Sequence, residues 1–212
     1  MKTNTLYRYT FFALLIVGTF FLGYYFSREK KSDDTVAVTG AVSVAPTASS
    51  SVAVKTPTII PYASPAYGFR IEYPSTYYLQ AREMNVETSP YLVAVLVEDT
   101  QEHRDLLDGK LTAAREGPTG ITINVYRNTK KQTLTEWLPS DTNWNIGDKS
   151  PMNATVSGMP GASYRWSGLY EGGSVVVMNG PFIYVFSVSW LTPEDQIVND
   201  FSAMLKRVEF LP

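Results

Sequence analysis

The chain of 212 residues has no cysteine and a single histidine, His103. Without cysteine there are no disulfides, no thiolate metal sites, no cysteine nucleophile and no cysteine to carry a lipid. That absence suits an oxidising compartment, where stray thiols react. One histidine excludes every motif that needs two, such as HExxH. Net charge is also scarce: 18 Lys+Arg against 20 Asp+Glu leave −2, so no overall field draws the protein to nucleic acid. GxGxxG, the phosphate-cradling loop and GxSxG are missing as well. The expectation is no cofactor, no nucleic-acid partner and no assignable catalytic residue.

What the chain does have begins with an uncharged run at residues 9–26, "YTFFALLIVGTFFLGYYF". As a helix it spans roughly 27 Å at about 1.5 Å per residue, close to a hydrocarbon core of roughly 30 Å. Arg8 and Arg28 bracket it, and Tyr7, Tyr9, Tyr24 and Tyr25 suit the two interfaces. A transmembrane helix over 9–27 is expected, after a short tail over 1–8. A cleaved signal peptide is the competing reading, but its core is shorter and ends in a small-x-small site. Here bulky aromatics and then charge follow. The positive-inside count sets Lys2 and Arg8 against Arg28, Lys30 and Lys31, and taken alone it favours a cytoplasmic C-terminus.

Residues 28–65 are dominated by Ser, Thr, Ala, Val and Pro, with almost no large apolar side chain before Ile59. Such a stretch does not bury enough surface to offset the entropy of ordering it, so it reads as a linker. Its alternating "TVAVTGAVSV" is the one part able to pair as a strand. A tether of this composition fits a domain held off the outer face of a membrane. The expected placement is therefore single-pass in the cell membrane, with the N-terminus cytoplasmic and the C-terminal domain outside.

From residue 66 to 212 the pattern is globular. "GFRIEYP" alternates Phe69, Ile71 and Tyr73 against Arg70 and Glu72. "TYYLQAREM" reads as a returning strand and "YLVAVLVED" as a central one. "GITINVYRN" turns Ile121, Ile123 and Val125 inward and Thr122, Asn124 and Tyr126 outward. Asn179-Gly180 between two β-branched and aromatic runs predicts a tight hairpin whose second strand is covered on both sides. "TLTE" is a capping box from Thr133 to Glu136, stopped by Pro139. In "TPEDQIVNDFSAMLKRVEF", Thr192 is expected to cap and Pro193 to take the first helical position. Ile197, Val198, Phe201, Met204, Leu205 and Val208 then recur at helical spacing. "DTQEHRDLLDG" predicts a short helix closed by Gly109.

The order of these signals has a known counterpart. G-F-x-I-x-Y-P (68–74), a short capped helix, "VSGMPGASYRW" (156–166), a hairpin, and a closing F-x-x-M-L-x-x-V-x-F (201–210) resemble the PsbP-like superfamily, which includes the extrinsic lumenal subunit of photosystem II and DcrB-like envelope proteins. One departure is Ser75-Thr76-Tyr77, where relatives often place Gly-Trp. The resemblance implies an α+β domain, an antiparallel sheet of about six strands between helical layers (an α-β-α sandwich), and a non-catalytic accessory role outside the cytoplasm. It carries over no active-site residue.

Two groups of candidate site residues remain. Asp141, Asn143 and Asn145 stand at the first, third and fifth positions of a calcium loop, but Ile146 and Met152 occupy its glycine and bidentate-glutamate positions. An Asx-rich turn is the simpler reading. Tyr67, Tyr77, Tyr78 and Trp144 are candidates for an exposed aromatic binding patch. His103 sits among carboxylates, on what reads as a solvated charged face. The function expected is a membrane-anchored, non-enzymatic binding domain with an envelope partner, monomeric as a soluble unit. A pilin-like surface subunit and an envelope hydrolase using paired carboxylates stand as alternatives. Limited proteolysis of the whole chain should cut first between Asp34 and Thr58, mapped by fragment mass. Early cuts within 66–212 that spare 34–58 would overturn the division.

Overall fold

The computed structural model describes residues 57–84, 90–111 and 117–212. The expected transmembrane helix and most of the linker lie outside the described residues. Among the described residues no helix is long and apolar enough to cross a membrane. The strands are β1 (Ile59–Ser64), β2 (Phe69–Pro74), β3 (Tyr77–Glu83), β4 (Leu92–Glu98), β5 (Gly120–Arg127), β6 (Met152–Val156), β7 (Met159–Ser167), β8 (Glu171–Asn179), β9 (Phe182–Trp190) and β10 (Glu209–Phe210). The helices are α1 (Gln101–Leu107), α2 (Leu134–Trp137), α3 (Thr142–Asn145) and α4 (Gln196–Leu205). A 3-10 turn, Leu138–Ser140, separates α2 from α3.

Seven strands form one antiparallel sheet in the order β3-β4-β5-β9-β8-β7-β6, and β1-β2-β10 form a second. The α+β class and the antiparallel pairing agree with expectation; the layering does not. Ten described strands stand against about six expected, and on one face a small sheet shares the covering layer with α4. One face of the large sheet packs on this small sheet together with α4. Phe69 and Ile71 from β2, Leu96, Ile123 and Phe186 from the large sheet, and Phe201 and Met204 from α4 meet there, all buried. The opposite face is covered in part by α2, the 3-10 turn and α3, through Trp137, Leu138, Ala162, Tyr164, Val176, Ile183 and Val185. β9 lies at the middle of the large sheet and is apolar on both faces over most of its length, because both coverings meet on it.

Four local expectations are corrected. The linker was expected to run to residue 65, yet Ile59–Ser64 pairs with β2 in full register, from Ile59↔Pro74 to Ser64↔Phe69. Pro61 is tolerated because β1 is an edge strand, where a missing N–H need not break a ladder. Second, β3 does not return on β2. It joins the other sheet beside β4, which lets the chain cross from one layer to the other after Pro74. Third, the hairpin turns on Gly180-Pro181, one residue later than expected, since Asn179 pairs with Phe182. Gly180, at φ 55°, takes the first central position, where a type II′ turn places glycine. Fourth, α4 starts at Gln196. Its N-cap is Asp195, whose carboxylate accepts from the Leu191 and Thr192 backbone N–H groups and from Thr192 Oγ1, at 2.8–3.1 Å. The Thr192 hydroxyl therefore donates into a turn and does not cap the helix.

The capping box is present as expected: Thr133 Oγ1 accepts from Glu136 N, and the Glu136 carboxylate accepts from Thr133 N. In α1, Thr100 Oγ1 accepts from His103 N. Ile197, Phe201 and Met204 form the buried stripe of α4, with Phe201 at 6% exposure. Phe201→Ala should cost about 3–5 kcal/mol in urea unfolding, as large core truncations do. His103→Ala, on a half-exposed helix, should stay within about 0.5 kcal/mol of the parent. A neutral Phe201→Ala would mean that α4 does not anchor the core.

Candidate functional site

The four expected patch aromatics do not come together. Tyr77 and Tyr78 are neighbours on one strand, so their side chains leave opposite faces of the sheet. Tyr77 (9% exposed) and Tyr67 (8% exposed) are core residues on the small-sheet side. The Tyr67 hydroxyl donates to the Tyr91 carbonyl at 3.2 Å, and the Tyr77 hydroxyl to Asp200 Oδ2 at 2.8 Å. Burial, and then its hydrogen bond to Asp200, pushes the Tyr77 phenol well up. Tyr78 is half-buried on the other face, with the Arg104 guanidinium 4.8 Å above its ring. Trp144, on α3, stands edge-on to Tyr164 at 5.1 Å. An exposed Tyr67–Tyr77–Tyr78–Trp144 patch is thereby ruled out: strand alternation and two separate cores divide its members.

Asp141, Asn143 and Asn145 lie together, but Asp141 is buried, Asn143 half-buried and Asn145 exposed. Asp141 is 5% exposed and caps α3, accepting from Asn143 N at 2.9 Å. Its second oxygen accepts from the Tyr164 hydroxyl at 2.5 Å. Asn145 Nδ2 donates to the Asp141 carbonyl, and Asn143 Nδ2 reaches Ser187 Oγ at 3.5 Å. The spacing that suggests a calcium loop is thus that of a capped helical turn. Burial pushes the Asp141 carboxyl above the usual range, and the bonds from Tyr164 and Asn143 N oppose that shift. Burial and then the neighbouring carboxylate push Tyr164 up, and Tyr126, beside the same acid, is raised to about 12 chiefly by burial. Among the described residues no group of three or more His, Asp or Glu is placed to hold a metal ion.

Among the clefts of the described surface, three bear on the site. The first, about 370 Å³, lies where β3 and β4 meet the start of α4, and brings Glu98, Asp195 and Asp200 to one opening beside Tyr77. The hydrogen bonds at Thr192 and Leu191 hold the Asp195 carboxyl below its ordinary range. Asp200 is bound by the Tyr77 hydroxyl and by Gln196 Nε2 at 2.9 Å. A second cleft, about 380 Å³, runs between α2 and the β6–β7 hairpin, lined by Leu134, Leu138, Trp144, Met152 and Lys149. The third, about 260 Å³, lies on the part of the large sheet that α2 and α3 leave uncovered. Its floor is Thr122 and Asn124 of β5 with Ser187 and Ser189 of β9, and Asn143 and Trp166 stand at its sides. His103 lines none of the three; its Nδ1–H donates to the Glu98 carbonyl at 2.9 Å.

The third cleft has a signal in the sequence. In "FIYVFSVSW" the face that carries Ile183 and Val185 continues as Ser187 and Ser189. Midway along a central strand, apolar gives way to hydroxyl. Strand alternation places Thr122 and Asn124 outward, opposite Ile121, Ile123 and Val125.

Neither a family model nor a curated protein matches the chain. Among the solved structures similar to it are two of low identity. One is the cyanobacterial PsbP protein, CyanoP, of Synechocystis: 12% identical, covering 77% of this chain and 98% of that one, with a TM-score of 0.46. The other is a protein of Bacteroides thetaiotaomicron: 10% identical, covering 72% of this chain and 48% of that one, with a TM-score of 0.44. The chain thus spans about half the length of the second. At these identities and scores neither likeness bears on activity.

The Asp141 carboxyl yields a pH prediction. Its raised folded value means that the native state holds this proton more tightly than the unfolded chain does. Its contribution to stability is therefore largest at low pH and is lost as pH rises through the folded value. The stability of the parent relative to Asp141→Asn should fall as pH climbs from about 4, the unperturbed carboxylate value, and then level off. Urea titrations of both proteins measure this difference, which cancels the other acids. A difference that grows with pH would mean that the carboxylate is favoured in its charged form. Tyr164→Phe, which strips one donor from the buried acid, should cost about 1–3 kcal/mol.

Proposed function

We propose that the protein is a single-pass membrane-anchored binding domain of the PsbP-like kind, displayed outside the cytoplasm, with an accessory and non-enzymatic role beside an envelope partner. The observation that carries this reading is the order of the chain. An uncharged run of 18 residues flanked by Arg8 and Arg28 is followed by a Ser/Thr/Ala/Pro-rich stretch, and then by a compact unit with its own core. The chemistry of the clefts supports the non-enzymatic part. Asp195 and Asp200 are taken up by structural hydrogen bonds, and no described cleft pairs a nucleophile with His103.

A hydrolase using paired carboxylates is the second reading, favoured by the convergence of Glu98, Asp195 and Asp200 on one cleft. It needs one acid kept protonated near neutral pH while its partner is charged. The lowered Asp195 value runs against a proton donor there.

The absence of cysteine makes the placement directly measurable. Ser202→Cys introduces the sole thiol at an exposed position on α4. In intact cells with a permeable outer layer, a membrane-impermeant maleimide should label it as fully as after lysis, with the protein in the membrane fraction. Labelling that requires lysis would place the domain inside. A protein recovered in the soluble fraction would remove the anchor.

A further inference from the structure

The third cleft is paved with polar groups where the sheet would ordinarily be apolar. β9 is the central strand, and the face that buries Ile183 and Val185 under α2 and α3 turns to Ser187 and Ser189. Thr122 pairs directly with Ser187, and Ser187 with Ser174, so three hydroxyl residues run side by side across β5, β9 and β8. β-branched and aromatic residues make the more stable central strand, so serine at 174 and 187 gives up sheet stability. Polar groups at such a position need partners.

Some of those partners are within the protein. Ser174 and Ser187 share a hydrogen bond at 2.8 Å, and Ser189 Oγ accepts from Gly120 N at 3.0 Å. The side chains of Thr122 and Asn124 make no hydrogen bond within the described residues. Both open into the cleft. An asparagine amide offers two donors and an acceptor, and a threonine hydroxyl offers one donor and two lone pairs.

The wall is aromatic and built in place. Trp166 Nε1 donates to Ser174 Oγ at 3.0 Å, and its ring lies flat over Gly172, where a Cβ would stand 2.1 Å from Cζ2. Glycine at 172 is thus what lets the indole lie against the sheet. The ring is fixed at one edge by its N–H and along one face by β8, and it stays half-exposed toward the cleft.

Among the described residues no charged side chain lines this cleft. Phosphates and carboxylates are recognised chiefly through opposite charge, so they find no anchor among these side chains. A volume of about 260 Å³ falls just under the floor of roughly 300 Å³ for drug-sized ligands, which limits the occupant to about one ring. Neutral hydroxyl and amide groups on a rigid floor, with an aromatic face beside them, match a molecule that has hydroxyls at its rim and C–H bonds on its faces. We propose that this cleft binds a single neutral pyranose unit of a saccharide, with Trp166 packing on the C–H face of the sugar and Asn124, Thr122 and Asn143 holding its hydroxyls. The site deepens the proposed binding role and is independent of which side of the membrane the domain occupies.

The test uses the purified full chain in lauryldimethylamine oxide, since a detergent with a sugar head group would compete. Methyl α-glucopyranoside, methyl β-galactopyranoside and N-acetylglucosamine are titrated separately, and the indole N–H of Trp166 and the side-chain amide of Asn124 are followed by NMR. At least one sugar should shift both signals saturably, with a Kd on the order of 1 mM. Thr122→Val and Asn124→Leu keep strand-compatible side chains and should weaken that binding at least about tenfold, while the rest of the spectrum stays folded. Trp166→Phe, which keeps a ring but loses the bond to Ser174, should weaken it less than Asn124→Leu does. Absence of any saturable shift overturns the site. So does a shift that survives both Thr122→Val and Asn124→Leu, or a stronger response to inorganic phosphate, glutamate or trialanine than to any sugar. The maleimide experiment reports on placement alone, so failure there leaves this result standing, and the reverse holds too.

Discussion

The ring of Tyr184, near the start of the central strand, meets Phe69 of the small sheet edge-on at 5.8 Å and Phe210 at 4.9 Å, and stacks along its own strand with Phe186. Its hydroxyl donates to the Tyr67 carbonyl at 2.7 Å. Burial raises the phenol to about 12, so the group stays a neutral donor across the physiological range. A single side chain thus ties the large sheet to β2 and to the last strand, β10. β1 is held through β2, and β10 arrives only after α4 has crossed the same core. Residues from the two ends of the folded domain therefore meet on one layer and build the small sheet.

Covering that face leaves the opposite one with little material. α2, the 3-10 turn and α3 together are short, and they shield only the part of the sheet around Trp137, Tyr164 and Ile183. Asp141 marks the border. It caps α3 from below and accepts the Tyr164 hydroxyl, so a buried acid is the hinge between the apolar half and the polar half of this face. Beyond it the sheet turns to Ser, Thr and Asn with a tryptophan beside them. The same constraint that builds the core on one side leaves a neutral, hydrogen-bonding surface on the other.

Local chemistry was legible where it is self-contained. The capping box at Thr133–Glu136, the amphipathic stripe through Phe201 and the alternation of Ile121, Ile123 and Val125 each satisfy themselves within a few residues. The errors fall where a partner far away in sequence decides. Ile59–Ser64 reads as linker because no local pattern marks an edge strand that holds a proline. The start of α4 shifts because the Asp195 side chain turns back to Thr192. The tyrosines at 77 and 78 read as one patch because proximity in sequence hides that strand neighbours face opposite ways.

The sequence by itself determined the class of the domain, the central strand, the main helix and the chemistry that is missing. These follow from residue type and short-range periodicity, which act wherever the chain goes. Only the tertiary structure decided that there are two sheets and not one, that Asp141 is a buried cap, and that Thr122, Asn124, Ser187, Asn143 and Trp166 share a cleft. Those residues come from β5, α3, β7 and β9, and strand pairing across long stretches of chain brings them together. The physical reason is that pairing register and layer contacts are set by the whole apolar surface at once, and no window of sequence contains it.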